Sequence, residues 1–433
     1  MTPAARLSAA IEVLAEIFNR YQPPALALKE WGRAHRFAGS GDRAIIGNLV
    51  YDVLRRKNAL AWLMGSDAPR ALVLALHARF WAAAEDTIRL CNGENHSPAA
   101  LSTEEASGLS RSFDDAPLHV KSFLPEWLIS RLLAVYSTEQ DLINQGLALA
   151  ERAPVDLRVN ALKAVRDKIL PQLERFKPSP MPHSPFGIRI AYGSREARSP
   201  HVEVEGAYQR GHIELQDEAS QLASLLTGAA PGEQVADLCA GGGGKTLALA
   251  ALMQNKGQII ASDNDRHRLA PIYERLQRAG AHNVQVTPPD KMDGLDMKMD
   301  RVVLDVPCTG AGAWRRRPDN KWRLSQKNIN DRIAEQDAIL QTGAELVRRG
   351  GELCYITCSI LREENEDRIE SFLKTENGQA FSKVDMRKRW SDLLGTAPPP
   401  QPAGVENLAT GLRFSPASSG TDGFFISCLQ KHG

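Results

Sequence analysis

The sequence predicts an α/β protein: a doubly wound, mostly parallel sheet over residues 215–433, preceded by an all-helical domain (1–140) and a small α+β module (141–214). Three observations predict it. From 234 to 373, short apolar runs alternate with helical periodicity, the pattern of parallel strands joined by helical crossovers. A glycine-rich turn, Ala240-Gly241-Gly242-Gly243-Gly244-Lys245-Thr246, follows the first of those runs. Residues 1–140 carry apolar side chains at three- and four-residue spacing, without the alternation of strands. At 433 residues the chain exceeds one ordinary core, which agrees with a division into parts.

In the first part, Leu7, Ile11, Leu14, Ala15 and Phe18 share one face of a helix. A second helix runs through Ile45, Leu49, Val50, Val53 and Leu54, with Asp42 as its expected N-cap. Leu72 to Phe80 and Trp127 to Tyr136 supply more, whereas 92–117, rich in Ser, Gly, Asn and acidic residues, reads as loop. In the middle part, 155–160 alternates as a strand, 164–176 reads as a helix, and 187–192 and 201–204 as strands. A helix with Leu215, Ala219, Leu222 and Leu226 leads into the third part. There the strands are expected at 234–239, 258–263, 284–287, 301–305 and 352–357, and 412–415 with 424–429 form a closing antiparallel pair.

Hydrophobic residues at 43% and charged residues at 24% are values of a globular protein. The net charge of +1 gives no global basic field, so a nucleic-acid partner would be met by local patches. The longest apolar stretch, 71–84, contains His77 and Arg79 and is too short to span a bilayer. Six cysteines without a signal-like start point to free thiols in reducing cytoplasm.

Glycines at a first strand–helix junction let the backbone approach a ligand. Gly244-Lys245-Thr246 tempts a phosphate-loop reading, but that loop needs glycine at 239, where Cys239 stands. The dinucleotide pattern fails at Thr246. A nucleotide-like cofactor without a triphosphate fits better. Asp263, 24 residues after Cys239 at the end of the second strand, is placed for a ribose hydroxyl. Asp290, past the third strand, is a weaker candidate of the same kind.

Asp305-Val306-Pro307-Cys308 and Thr357-Cys358-Ser359 each stand where an apolar run ends. Neighbouring strands would bring Asp305, Cys308 and Cys358 into one cleft. Glu363 and Glu364 suggest a helix whose N-terminus faces Cys358 and favours its thiolate. Cys91, Cys354 and Cys428 read as packing residues. Cys354-x-x-x-Cys358 lacks a partner pair at ligand spacing, so no metal is expected.

Together these strings resemble the Sun-type RNA (cytosine-5)-methyltransferases. The resemblance extends to Arg317-Pro318-Asp319 with Lys321-Trp322, to Glu363-Glu364-Asn365-Glu366 and to Gly420-Thr421-Asp422-Gly423-Phe424-Phe425. Gly41-Asp42-Arg43 and Leu49-Val50-Tyr51-Asp52-Val53-Leu54-Arg55-Arg56 look like the NusB-like helical domain of the bacterial RsmB branch, whose members modify small-subunit ribosomal RNA. The chain departs in having Gly241-Gly242-Gly243 where the family often has Ala-Pro-Gly, and Val306 where it often has Ala.

The resemblance implies a Rossmann-like fold that binds S-adenosylmethionine through Cys239, Ala240, Gly241, Gly242, Gly243, Gly244, Lys245, Asp263, Asp290 and Asp305. It implies Cys358 as the nucleophile toward cytosine C6, Asp305 near N3, and Cys308 as helper in release. Cys308 as nucleophile is the alternative, since DNA cytosine methyltransferases use a Pro-Cys. Arg315, Arg316, Arg317, Lys321 and Trp322 interleave cationic and aromatic groups beside Cys308, an RNA grip in this reading, with Arg158, Lys163, Arg166 and Lys168 as a second track. The expected partner is RNA, small-subunit ribosomal rather than transfer RNA, met by a monomer. A non-catalytic RNA-binding assembly or antitermination factor is the competing class.

Overall fold

The computed structural model describes residues 1–292, 294–406 and 410–433. The N-terminal part is helical. Pro3–Arg20 is capped by Thr2, whose hydroxyl accepts from the Ala5 N–H, and buries Leu7, Ala10, Leu14 and Ile17 on one face. The helix Ser40–Met64 begins at Ser40 with Gly39 as N-cap, so Asp42 lies inside its first turn. The Asp42 carboxylate instead binds the Met1 amino group and Arg6, tying two helices together. Ser102 and Glu105 form a capping box that starts the helix Thr103–Ser110 within the stretch expected to be loop.

The middle module is an antiparallel sheet of β1 (Val155–Val159), β2 (Pro178–Pro180), β3 (Gly187–Ile190) and β4 (Ile213–Leu215), in the order β2-β3-β1-β4. Leu157, Val159, Ile188, Ile190 and Ile213 form its apolar face. The 201–204 segment is a 3-10 turn, not a strand, and Leu215 ends β4 rather than starting a helix. The helix expected at 164–176 is one α-turn followed by 3-10 turns, with Pro171 in the second segment.

The third part has β5 (Gln234–Asp237), β6 (Gln258–Ala261), β7 (Val284–Val286), β8 (Met299–Asp305), β9 (Val347–Thr357), β10 (Phe381–Lys383), β11 (Leu412–Phe414) and β12 (Phe424–Lys431). The strand order is β7-β6-β5-β8-β9-β12-β10, with β11 on β12. Strands from β7 to β9 pair in parallel, and β12 runs antiparallel to β9. Chain order reverses between β5 and β8, so their carboxyl ends form the switch-point crevice. Among the described residues, no single helix is long and apolar enough to cross a membrane.

Candidate active site

The glycine turn leaves β5 and enters the helix Gly244–Leu252. Gly241 and Gly243 have φ of 50° and 82°, and a Cβ at Gly243 would lie 2.6 Å from Ile272 Cγ1. Only glycine fits there. The Gly241 N–H donates to Asp263 Oδ2 at 2.9 Å and the Asp265 N–H to Oδ1 at 2.8 Å, fixing a carboxylate buried at the end of β6. Asp263, Ser262, Cys239, Met292 and Pro307 line a cavity of 540 Å³. Ser262 Oγ is buried there with no partner, an orphan donor that a polar ligand would satisfy. Burial holds the Cys239 thiol well above its usual range, with Asp237 and Asp305 adding to the effect. Asp290 is exposed in a 3-10 turn and, unlike its neighbours Pro289 and Met292, does not line the cavity.

Beside it lies a second cavity of 510 Å³, which shares Cys239 and Arg268 with the first and contains Lys245, Asp305, Cys358, Arg316 and Phe424. Lys245 turns away from the Asp263 side: its Nζ lies 2.7 Å from Asp305 Oδ2 and 5.1 Å from the Phe424 ring centroid. Two spaces meeting at one glycine turn give room for a donor on one side and an acceptor on the other.

β8 and β9 are neighbours, and the loops leaving them bring the Cys308 and Cys358 sulfurs to 3.3 Å. Both are half-buried. The contact with Cys358, and then burial, push the Cys308 thiol well above its usual range. Asn365 holds the loop around Cys358: its Oδ1 accepts from the Thr357 hydroxyl at 2.5 Å, and its Nδ2 donates to Ser359 O at 2.9 Å. The expected α-helix does not begin at Glu363 and Glu364. Residues 362–364 are a 3-10 turn, and the helix starts only at Glu366. Within that turn the Glu364 side chain is buried.

The aromatic and cationic segment after Cys308 requires a correction. Lys321 is buried, with Nζ donating to Arg55 O at 2.8 Å and Phe123 O at 2.6 Å. Trp322 Nε1 donates to Leu54 O at 2.5 Å, and Arg315 is buried against Asp217 and Asp422. The hydrogen-bonding groups of these three are engaged within the protein, Lys321 and Trp322 joining the helical N-terminal part to the sheet domain, and Trp322 is half-buried. Arg316 is paired with Asp217 and Asp422 but keeps an exposed face, and Arg317 is exposed. In the second track Arg158 is buried, and Lys163 is bonded to Arg278 O at 2.6 Å.

Sequence reasoning did not single out Asp217, Asp422 or Phe424 individually, although the last two lie in a string noted above; Asp217 has no local signal. Cys354 and Cys428 face each other across β9 and β12 at 3.0 Å, fully buried. Their ligand atoms group with Glu352, but both Glu352 oxygens are already engaged by Arg301 and Arg389.

A doubly wound sheet with an antiparallel β12, a glycine turn after β5 and an acid closing β6 is the architecture of a Rossmann-like methyltransferase. Residues 225–430 match the family model of the 16S rRNA methyltransferase RsmB/F, and 124–194 match that of the RsmF/B-like ferredoxin-like domain. The chain is 32% identical over 317 residues to ribosomal RNA small subunit methyltransferase B of Enterobacter sp. (strain 638), covering 72% of this chain and 67% of that one. The same-named protein of Citrobacter koseri is 29% identical over 418 residues, covering 90% and 91%. This chain belongs to the RsmB/F methyltransferase family. Among solved structures, PH0851 superposes with a TM-score of 0.71 at 26% identity, covering 100% of this chain and 99% of its own. A methyltransferase homolog from Pyrococcus horikoshii gives 0.59 at 27% identity, covering 72% and 97%.

Proposed function

We propose that this protein methylates C5 of a cytosine in small-subunit ribosomal RNA through a covalent bond from Cys358. The observation that carries the reading is the pair of thiols 3.3 Å apart at the ends of adjacent strands, of which Cys358 lines a cleft that contains the Lys245–Asp305 pair. The names of the relatives, ribosomal RNA small subunit methyltransferase B, support the choice of RNA.

S-adenosylmethionine, when bound, supplies an electrophilic methyl group. The residues that would hold it are the turn 239–244, Ser262 with its unpartnered hydroxyl, and Asp263, whose two oxygens are each pinned by one backbone N–H and keep lone pairs for a ribose. Lys245 and Asp305 belong to the base side in this reading, and Asp290 contributes no contact.

Cytosine C5 is a weak nucleophile until C6 carries an added group. Cys358 Sγ, as thiolate, forms a bond to C6, and the C5–C6 electron pair becomes available at C5. The Lys245–Asp305 pair holds the base edge and delivers a proton to N3 as charge develops there. After C5 has been methylated, the Cys308 sulfur, as a thiolate that has first given its own proton to solvent, takes the C5 hydrogen as a proton. The C–H electron pair re-forms C5=C6, the Sγ–C6 bond breaks with its pair returning to Cys358 as thiolate, and N3 returns its proton to the Lys245–Asp305 pair. The base must be unstacked to enter such a cleft. One chain supplies every residue of this scheme, so catalysis needs no second copy.

The test is incubation of small-subunit ribosomal RNA with the protein and S-adenosylmethionine, followed by bisulfite sequencing. One cytosine is expected to become resistant to conversion. Methyl incorporation elsewhere than on a cytosine, or none, overturns the reading.

A further inference from the structure

Glu364 takes no part in the chemistry above, yet its carboxylate touches both thiol-bearing loops. It is fully buried. Oε1 accepts from the Thr309 N–H at 2.8 Å, and Oε2 accepts from the Thr309 hydroxyl at 2.6 Å and the Ser359 hydroxyl at 2.5 Å. Gln336 Nε2 adds a bond to Oε1 at 3.2 Å and donates to Pro307 O at 2.9 Å. Thr309 directly follows Cys308, and Ser359 directly follows Cys358. The clamp itself is anchored to the sheet, because the Tyr355 hydroxyl of β9 donates to Glu364 O at 2.7 Å.

The loops also meet through the Gly312 N–H, which donates to Cys358 O at 2.9 Å, but among the described residues Glu364 is the side chain hydrogen-bonded to both Thr309 and Ser359. Other side chains hold one loop each, Asn365 the Cys358 loop and Gln336 the Cys308 loop. Groups that must reach neighbouring carbons of one ring need a fixed separation, and an error of about 1 Å in such geometry costs about 10²-fold in rate. A carboxylate suits the task because its two oxygens accept from several donors at once.

We propose that Glu364 is a positioning residue that sets the separation and heading of Cys308 relative to Cys358, so that one sulfur reaches C6 while the other reaches the hydrogen on C5. The inference rests on the cytosine reading above. It concerns release of the intermediate rather than its formation, since clamping matters most where both thiols address one base.

The experiment compares Glu364→Asp, too short to reach both loops, with Glu364→Gln, which keeps the span. RNA–protein adducts are quantified on denaturing gels beside single-turnover product formation. Glu364→Asp is expected to slow release at least about tenfold and accumulate adduct, while Glu364→Gln stays within about threefold of the parent protein. Thr309→Val leaves Glu364 in place and keeps the Thr309 N–H bond but removes the hydroxyl bond, loosening the Cys308 side, so it is expected to accumulate adduct even if Glu364→Asp folds poorly. An unchanged partition in Glu364→Asp and Thr309→Val overturns the inference. So does a parallel loss of adduct and turnover that tracks a lower melting temperature. The parent protein is also run on RNA carrying 5-fluorocytosine, where C5 has no proton to lose and adduct must persist. No adduct there overturns the cytosine reading itself, a failure distinct from the two others.

Discussion

Replacing Lys321 by methionine separates two effects that oppose each other at the junction of the helical part and the sheet domain. The ammonium is buried, bonded to two carbonyl oxygens, and 4.8 Å from the Trp322 ring centroid. Methionine fills similar volume but leaves Arg55 O and Phe123 O without that donor. Each such loss costs about 1–3 kcal/mol, so about 2–6 kcal/mol in all. Against this, the variant no longer buries a cation near Arg55 and Arg56, a desolvation cost of several kcal/mol. Burial, reinforced by Arg56 and Arg55, holds the Lys321 amine well below its usual range. The sign follows: the unfolded chain binds more protons than the folded one between the folded pKa and the ordinary lysine value, so the folded state gains as pH rises through that window. Lys321→Met lacks this gain. Urea unfolding followed by tryptophan fluorescence should therefore show a destabilisation of about 1–3 kcal/mol near pH 9.5 that shrinks toward pH 6.5. A penalty that grows as pH falls would refute the reasoning.

Other outcomes follow from the same geometry. Asp263→Ala removes a carboxylate positioned for charged hydrogen bonds worth about 1.5–3 kcal/mol, so S-adenosylmethionine affinity by calorimetry should fall about 10- to 150-fold. Burial pushes the Asp237 carboxyl up to about 7, with Thr246 opposing and Asp305 adding to it. The folded state then binds more protons than the unfolded one between about 4 and 7, and loses stability as pH rises through that window. Asp237→Asn should therefore stabilise the protein more at pH 8 than at pH 5, read as a difference in melting temperature. Gly312 donates to Cys358 O, and a Cβ there would meet Gly423 O at 1.9 Å. Gly312→Ala should cost about 1–3 kcal/mol by overpacking and reduce single-turnover rate with it.

How much of this was legible in the sequence depended on what each residue's fate hinges on. The ends of β5, β6, β8 and β9 were readable because a parallel strand sends its terminal side chains to a shared edge. Hence Asp263, Asp305, Cys308 and Cys358 were singled out from their positions along the chain. Lys321 and Trp322 misled, because a basic–aromatic string looks the same whether it meets RNA or the carbonyls of a neighbouring helix, and the Ser40–Met64 helix that receives them is more than 250 residues away. The helix Thr103–Ser110 was missed despite a visible Ser102/Glu105 signature, since its polar composition outweighed that signal. Glu364 was legible only as a helix-start residue and as part of the Glu363-Glu364-Asn365-Glu366 string. Its role arises from Thr309 and Ser359 converging on it, and that convergence requires β8 and β9 to pair.

In the proposed reaction Cys358 makes the bond to the base and Cys308 helps to break it. Loss of a positioned general base costs about 10²–10⁴-fold. The direct measurement is therefore the covalent RNA–protein band formed on unmodified RNA with S-adenosylmethionine, compared between Cys308→Ala and Cys358→Ala. A persistent band is expected for Cys308→Ala, and neither band nor methylation for Cys358→Ala. A band in the Cys358→Ala protein would contradict this scheme and assign the attack to Cys308.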